Sequence, residues 1–172
     1  MLHIYGAYVP KHISEMHSEK EGFLIKGWAA DVKTAMQQAR VCLAPLRFGA
    51  GLKGKLLDAA LYGTPAVTSP IGGEGMFSIA QVRDQLSEFV ETALVLYSDK
   101  TSWQVQQKKG FETLEQYFSK AKFSTRFFDT LATLQRQLPH HRQAHFIGQI
   151  LQHQTLQATK FMSKWIEEKN QK

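Results

Sequence analysis

Glycines and basic side chains are interleaved over a short segment that could bind an anion. Gly49, Gly51 and Gly54 allow close approach of the backbone to a ligand, and Lys53 and Lys55 add positive charge. A helix is predicted to begin here, and free N–H groups at a helix N-terminus attract anions. Because lysine opposes the helix dipole at that end unless an anion is bound, this pair of lysines favours a phosphate site.

A carboxylate follows at a spacing that suits a nucleotide. Asp58 lies three residues beyond Lys55, on the same helix face and about 4.5 Å further along the axis. This is close to the step from a diphosphate to the ribose, so Asp58 could accept hydrogen bonds from the ribose hydroxyls. An ordinary glycine loop with solvated lysines and an Asp58–Lys55 ion pair would give the same pattern, and the spacing alone leaves both interpretations open.

A second glycine-rich segment follows the next predicted strand. It runs over residues 69–75 and includes Gly72, Gly73 and Glu74. Carboxyl ends of parallel strands share one edge of a sheet, where ligands bind, so the two segments are expected to lie side by side. Glu74 could contact sugar hydroxyls, or it could be a solvated loop carboxylate.

Short apolar runs alternate with helical patterns and predict the elements that position these segments. Strands are predicted over 2–5, 23–25, 41–44 and 66–68, and helices over about 31–40 and 54–62. Asp31 is predicted to cap the first helix, and Gly63 to end the second. Nearly continuously apolar strands separated by helices predict an α/β fold, a Rossmann-like parallel sheet with helices on both faces.

Beyond Met76 the pattern is helical to the end of the chain. Pro139 is predicted to separate an earlier helical pair from a last amphipathic helix. We predict a Rossmann-like domain over residues 1–120, incomplete at its N-terminus because the chain opens directly in a strand, and a helical C-terminal extension over residues 121–172. The last helix is expected to pack on the chain's own sheet, although an exposed apolar stripe could meet a partner or a membrane surface.

Composition narrows the classes of function. The chain has 172 residues, 43% of them hydrophobic and 21% charged, which is enough to bury a core. A formal charge of +6 favours anionic partners, but there is no basic run and no interleaving of arginine with aromatic residues, so no nucleic-acid partner is expected. With Cys42 as the single cysteine and no visible signal peptide, we expect a cytoplasmic protein, with peripheral membrane association as an option.

Histidines on the predicted last helical segments suggest a metal site only weakly. His141 and His145 are one helical turn apart, and His153 lies on a similar face. No cysteine or carboxylate occurs between Gln135 and Gln154 to complete a ligand set, so no metal is expected.

Four segments together resemble a known family: GWAAD at 27–31, APLRFGAGLKGK at 44–55, GTPAV at 63–67 and IGGEG at 71–75. They are similar to the donor domain of group 1 (family 4) glycosyltransferases of the GT-B fold, and residues 2 to about 120 can be laid along that domain. The resemblance implies transfer of a sugar from a nucleotide-diphosphate donor to an acceptor hydroxyl, with retention and without a metal or other cofactor.

The resemblance also implies roles for particular residues. Lys55 would contact the diphosphate, Asp58 the ribose, and the amides of residues 51–54 the sugar and phosphates. No catalytic residue is assigned. The residues expected to bind the donor are Arg47, Gly49, Ala50, Gly51, Leu52, Lys53, Gly54, Lys55, Asp58, Gly72, Gly73 and Glu74.

Two departures from the family pattern bear on activity. Many members carry two glutamates eight residues apart, where this chain has Ala50 and Asp58; RFGAG is itself a recurring family form, so we interpret Ala50 as a subtype marker. The acceptor domain and the first strand-loop of the donor domain, which supplies an arginine and a lysine, have no counterpart. We therefore expect a fragment that is inactive alone and is completed by an acceptor-binding domain in cis or in trans.

Two other hypotheses remain. A non-catalytic nucleotide-sugar-binding or interaction subunit of a split enzyme is favoured by the missing upstream elements. A sugar epimerase or a similar phosphate-binding protein is disfavoured, because no Gly-x-Gly-x-x-Gly motif opens the first strand-helix turn.

Overall fold

The protein forms two compact units. A computed structural model describes residues 1–170, apart from the side chains of residues 154–156. The units are Met1–Ser119 and Lys120–Lys172. Strands occur in the first unit, and the second is helical.

Parallel strands and helices alternate in the first unit, which confirms the predicted α/β class, and the helical tail is confirmed as well. The elements of the first unit are β1 (Leu2–Tyr5), α1 (Lys11–Ser14), β2 (Phe23–Gly27), α2 (Val32–Gln38), β3 (Cys42–Ala44), α3 (Gly54–Leu61), β4 (Ala66–Thr68), α4 (Pro70–Gly73), β5 (Gln81–Val82), α5 (Leu86–Ser98) and α6 (Lys100–Tyr117). Those of the second unit are α7 (Lys120–Arg136), α8 (Leu138–Ala144) and α9 (Phe146–Asn170).

The strands form two short parallel sheets rather than one. β1 pairs with β2, and β3, β4 and β5 form a separate sheet in that order. Every predicted strand is present, but β5 was not predicted, because two residues are too few to show a periodicity. The division into two sheets was not predicted either, since pairing depends on long-range packing that an apolar run does not encode.

Local capping explains the ends of α2 and α3. The Asp31 carboxylate accepts hydrogen bonds from the N–H groups of Lys33 and Thr34, both at 3.1 Å, so the predicted N-cap is confirmed. At the end of α3, Gly63 has a φ of 81°, its N–H bonds to Ala60, and the next N–H bonds to Ala59. This is the Schellman arrangement, which requires the left-handed conformation that glycine adopts at low cost.

The core lies between α3 and the three-stranded sheet. Leu56, Ala59 and Ala60 of α3 are buried and pack against Ala44, Ala66, Met76 and Ile79. All three residues of the central strand β4 are buried, as expected for a strand covered on both faces. A second cluster joins β4 to α5 through Val67, Phe89 and Leu96. The site-bearing helix α3 is therefore fixed by close packing.

The second unit exposes its side chains. None that the structure describes there is buried, and Trp165, Phe161 and Ile147 of α9 are 58%, 61% and 72% exposed. The expected burial of the last helix's apolar stripe is therefore not observed. Pro139 also differs from the prediction, because it lies in the first turn of α8, where proline suits a helix start. Within residues 1–170, no helix is both long enough and apolar enough to cross a bilayer.

Candidate functional site

The two glycine-rich segments leave the sheet at neighbouring strand ends. β3 and β4 are parallel and in register from Cys42 opposite Ala66 to Ala44 opposite Thr68. The first segment (residues 45–55) follows β3 and leads into α3, and the second segment (residues 69–75, extended here to include Met76) follows β4. Their predicted juxtaposition at one edge is thus produced by the register of two adjacent strands.

Hydrogen bonds hold the two segments together. The Thr68 hydroxyl donates to the Ala44 carbonyl oxygen at 2.8 Å, and the Ser69 hydroxyl donates to the Leu46 carbonyl oxygen at 2.5 Å. Further along, the backbone N–H of Lys53 donates to the sulfur of Met76 at 3.4 Å. Because Met76 is fully buried, this hydrogen bond fixes the start of α3 to the core.

The N-terminus of α3 presents backbone donors to the outside. Lys53 is the N-cap residue, and its carbonyl oxygen accepts from the N–H groups of Leu56 and Leu57. Among the described residues, no acceptor is found for the N–H groups of Gly54 and Lys55, and both residues are exposed. A helix end with free amides and a partial positive charge suits an anionic ligand.

The two lysines of the first segment have different environments. Lys53 is 7% exposed, and its ammonium group donates to the Gly51 carbonyl oxygen at 2.6 Å, which closes the segment on itself. Gly51 has a φ of 69°, so this turn favours glycine. Lys55 is exposed, and its charge is close enough to act on the Cys42 thiol. Burial outweighs that charge and raises the pKa of Cys42 to about 11.

Asp58 lies one turn into α3 and is half-buried. In the described part of the chain it forms no ion pair with Lys55, whereas Lys11 pairs with Glu15 at 3.8 Å and Lys108 with Glu112 at 3.7 Å. The alternative in which Asp58 serves only to pair with Lys55 is therefore not realised, and the carboxylate remains able to accept other hydrogen bonds.

The second segment is partly helical, which its glycine content did not predict. The Ser69 hydroxyl caps α4 by accepting from the N–H of Gly72 at 3.3 Å. A Cβ atom at Gly72 would collide with the Thr68 hydroxyl, and one at Gly73 would lie 2.7 Å from a methyl group of Val82. These two glycines let α4 pack on β4 and β5. Glu74, which ends α4, is exposed.

The other predicted donor-binding residues lie on the open surface of the first segment. Arg47, Gly49 and Ala50 are exposed, and Leu52 is 59% exposed. Leu52 faces the second segment, since its Cδ2 would lie 3.6 Å from a Cβ atom at Gly75. The two segments are therefore adjacent, and Lys53, Gly72 and Gly73 hold their shape from within.

Sequence reasoning missed the aromatic contact that follows the second segment. The ring of Phe77 stacks on Tyr117, the last residue of α6, with centroids 3.8 Å apart and planes inclined by 9°. Phe77 has a φ of 53°, which is costly for a residue other than glycine. No local pattern signals this contact, because its partners are far apart in the chain.

Other groups with chemical potential lie away from this edge. A cavity of about 740 Å³ is bordered by β5, α5 and α6, with Arg83, Glu88, Thr92 and Gln106 in its lining. In the second unit, ring nitrogens of His141 and His145 are 3.2 Å apart. The described part of the chain has no group of three or more histidine, cysteine or acidic residues that could hold a metal ion.

A comparison with known protein families covers the residues of both segments. The model of the family described as glycosyl transferases group 1 matches residues 1–99, which is more than half of the chain and includes the site at the carboxyl edge of β3 and β4. No match was found among the curated proteins. Matching over this range, together with the parallel α/β fold, shows that the chain belongs to the group 1 glycosyltransferases.

Proposed function

We propose that the carboxyl edge of β3 and β4 binds a nucleotide-diphosphate sugar, the donor for transfer to an acceptor hydroxyl. The observation that carries this proposal is the exposed start of α3, where the N–H groups of Gly54 and Lys55 have no acceptor among the described residues. A diphosphate there would accept from these amides and would compensate the unfavourable position of Lys55 on the helix dipole.

Lys55 and Asp58 have complementary roles in this proposal. The exposed ammonium group of Lys55 would contact the diphosphate, and the carboxylate of Asp58, one turn further along α3, would accept from the ribose hydroxyls. The absence of an ion pair between them in the described structure supports this division. Glu74 and Arg47, which are both exposed, would contact the transferred sugar and the outer phosphate oxygens.

Bond breaking at the donor requires stabilisation of the negative charge that develops on the leaving diphosphate. Backbone N–H groups and a lysine held in place before the reaction can supply it. Neither a metal nor another cofactor is needed for this step, and retention at the sugar is what the family resemblance implies. We assign no side chain to catalysis.

The proposed donor surface is open, and we propose that an acceptor-binding domain, in cis or in trans, covers it. Gly49, Ala50 and Gly51 are all exposed. Sugar transfer competes with hydrolysis unless water is excluded, and the acceptor hydroxyl has to be held at the anomeric carbon. A second domain closing on this edge would do both.

A second candidate function is binding of a nucleotide sugar without catalysis, as one subunit of a split enzyme. Asp58 favours it, because this shorter acid stands where many family members have a glutamate. The two candidates differ in one respect: only the first predicts sugar transfer once the acceptor domain is supplied. For both, a cytoplasmic location fits a chain whose single cysteine cannot form an internal disulfide.

Calorimetric titration of the chain with uridine, guanosine and adenosine diphosphates and their sugars tests the donor site. We expect one nucleotide to bind and also to raise the melting temperature. Lys55→Gln should weaken the binding of that nucleotide. Lys33→Gln is the control and should leave the binding unchanged. Lys33 is also exposed and also the second residue of its helix, α2.

Each substitution removes a lysine that opposes the dipole of its own helix, but Lys33 also acts on the Asp31 carboxylate that caps α2. The melting temperature of each variant without nucleotide is therefore measured beside its affinity. If no nucleotide binds at millimolar concentration, the donor-site proposal for this chain fails. If Lys55→Gln and Lys33→Gln weaken binding equally, the nucleotide does not bind at the start of α3.

A further inference from the structure

The formal charge of the protein is concentrated in the second unit. Residues 120–172 carry nine Lys and Arg against three Asp and Glu, a net charge of +6. Residues 1–119 carry twelve of each sign and are neutral overall. From Asp129 to Glu167 no other acidic residue occurs. The positive charge therefore belongs to the helical unit and not to the unit with the donor surface.

Helix α7 of this unit is amphipathic, with an exposed apolar face. Phe123, Phe127, Leu131 and Leu134 follow the spacing that places side chains on one side of a helix, and they are 45%, 62%, 43% and 38% exposed. We call these four residues the α7 stripe. Lys122 and Arg136 fall on the opposite side of the helix, and Arg126 lies beside the stripe.

Helix α9 repeats the combination of exposed aromatic and basic residues. Phe161 and Trp165 are one turn apart and 61% and 58% exposed. Lys160 and Lys164 are exposed on the same two turns, and the ammonium group of Lys169 lies 5.0 Å from the centre of the Trp165 ring. Aromatic rings with adjacent lysines are typical of side chains at a lipid–water interface.

From these features we propose that residues 120–172 dock the protein reversibly on an anionic lipid surface. The α7 stripe and the aromatic residues of α9 would enter the boundary between headgroups and acyl chains, and the basic residues would attract acidic headgroups. Charge complementarity distinguishes this partner from a second copy of the chain, because two units that each carry +6 repel one another.

Flotation of the full chain with vesicles tests the docking. Phosphatidylcholine vesicles are compared with vesicles in which about a quarter of the lipid is phosphatidylglycerol, at low and at high salt. We expect binding to the anionic vesicles, little binding to the neutral ones, and a marked loss in high salt, because surface charges are screened.

Two double variants separate the apolar from the electrostatic contribution. Phe127→Gln with Leu131→Gln should lower the partition coefficient at least about tenfold, since two apolar side chains that would be buried in the lipid are lost. Lys160→Gln with Lys164→Gln should lower it about 30-fold on anionic vesicles only. Thr125→Gln with Thr133→Gln, on exposed positions of α7 outside the stripe, is the control and should bind as the parent does. Circular dichroism without lipid checks that each variant is folded.

Equal binding to neutral and anionic vesicles, or equal binding by all three variants, would overturn the proposal. So would a dimer in light scattering that the Phe127 and Leu131 variant abolishes, which would assign the stripe to a second copy. Binding to a DNA duplex without binding to vesicles would assign the positive charge to nucleic acid instead.

Discussion

The backbone N–H of Lys53 donates a hydrogen bond to the sulfur of Met76 at 3.4 Å, and this contact joins the start of α3 to the segment that follows β4. Met76 is fully buried in the main core cluster. The geometry of the proposed donor surface therefore depends on a core side chain that would not itself touch a ligand.

Replacement of Met76 should separate packing from this hydrogen bond. Met76→Ala leaves a cavity and should lower the free energy of unfolding by about 2–5 kcal/mol, whereas Met76→Leu preserves most of the volume and should cost less than about 1.5 kcal/mol. Urea denaturation measures both. Met16→Ala, at a position 53% exposed, is the control and should have little effect. Equal losses for alanine at positions 16 and 76 would contradict the packing account.

Two glycines at the site should respond in opposite directions. Gly72→Ala brings a methyl group into the Thr68 hydroxyl and should destabilise the fold by about 1–3 kcal/mol. A Cβ atom at Gly54 would meet no other atom within 4 Å, so Gly54→Ala should stabilise the fold by about 0.4–1 kcal/mol. If a nucleotide lies against the start of α3, Gly54→Ala should nevertheless weaken its binding. A more stable variant with unchanged affinity would place the ligand elsewhere.

Asp58→Ala should weaken nucleotide binding by about 1–3 kcal/mol, since hydrogen bonds to a charged group contribute about that much. The melting temperature should change little, because Asp58 is half-buried and has no ion-pair partner in the described structure. Titration and thermal unfolding are measured on the same samples. A large fall in melting temperature with unchanged affinity would show that Asp58 is structural.

The Cys42 thiol should react slowly in the folded protein. Burial raises its pKa from the ordinary 9.0 to about 11, so at pH 8 roughly 0.1% is thiolate. Labelling with a thiol reagent should accelerate as the pH approaches 11, and in concentrated urea it should be fast at pH 8. Because the folded pKa is the higher one, the thiol's contribution to stability is complete below about pH 9 and is lost as the pH rises through 11. Equal labelling rates for the folded and unfolded chain would contradict this.

By itself, the chain of residues 1–172 should show no sugar transfer, even with the donor that it binds. Holding the acceptor hydroxyl at the anomeric carbon can account for about 7–11 kcal/mol of a barrier, and the proposed donor surface leaves that task to another domain. Mass spectrometry with labelled donor detects any product. Adding an acceptor domain in cis or in trans should restore transfer, and Lys55→Ala should then remove most of it. Robust transfer by the chain alone would overturn this half-site interpretation without affecting membership of the family.

The sequence alone determined the elements whose causes are local. Asp31 caps α2 because its carboxylate accepts hydrogen bonds from N–H groups only two and three residues further along the chain. Gly63 ends α3 because its φ of 81° favours glycine. The β3 and β4 strands and the start of α3 at Gly54 were likewise predicted from the apolar pattern and the spacing of glycines. The family was recognised from the resemblance of four segments to its motifs. The assignment of residues 1–120 as a binding domain and the ligand contacts of the site stay predictions.

Only the tertiary structure decided which of those residues face outward and which hold the site from within. Lys53 and Lys55 are two residues apart and chemically identical, yet one ammonium group closes on the Gly51 carbonyl while the other is exposed. Gly72 and Gly73 also hold the site from within, because the absence of a side chain at each lets α4 pack on the sheet. The stack of Phe77 on Tyr117 and the bond to Met76 join residues 40 and 23 positions apart, and such contacts depend on how whole elements pack, which no local pattern encodes.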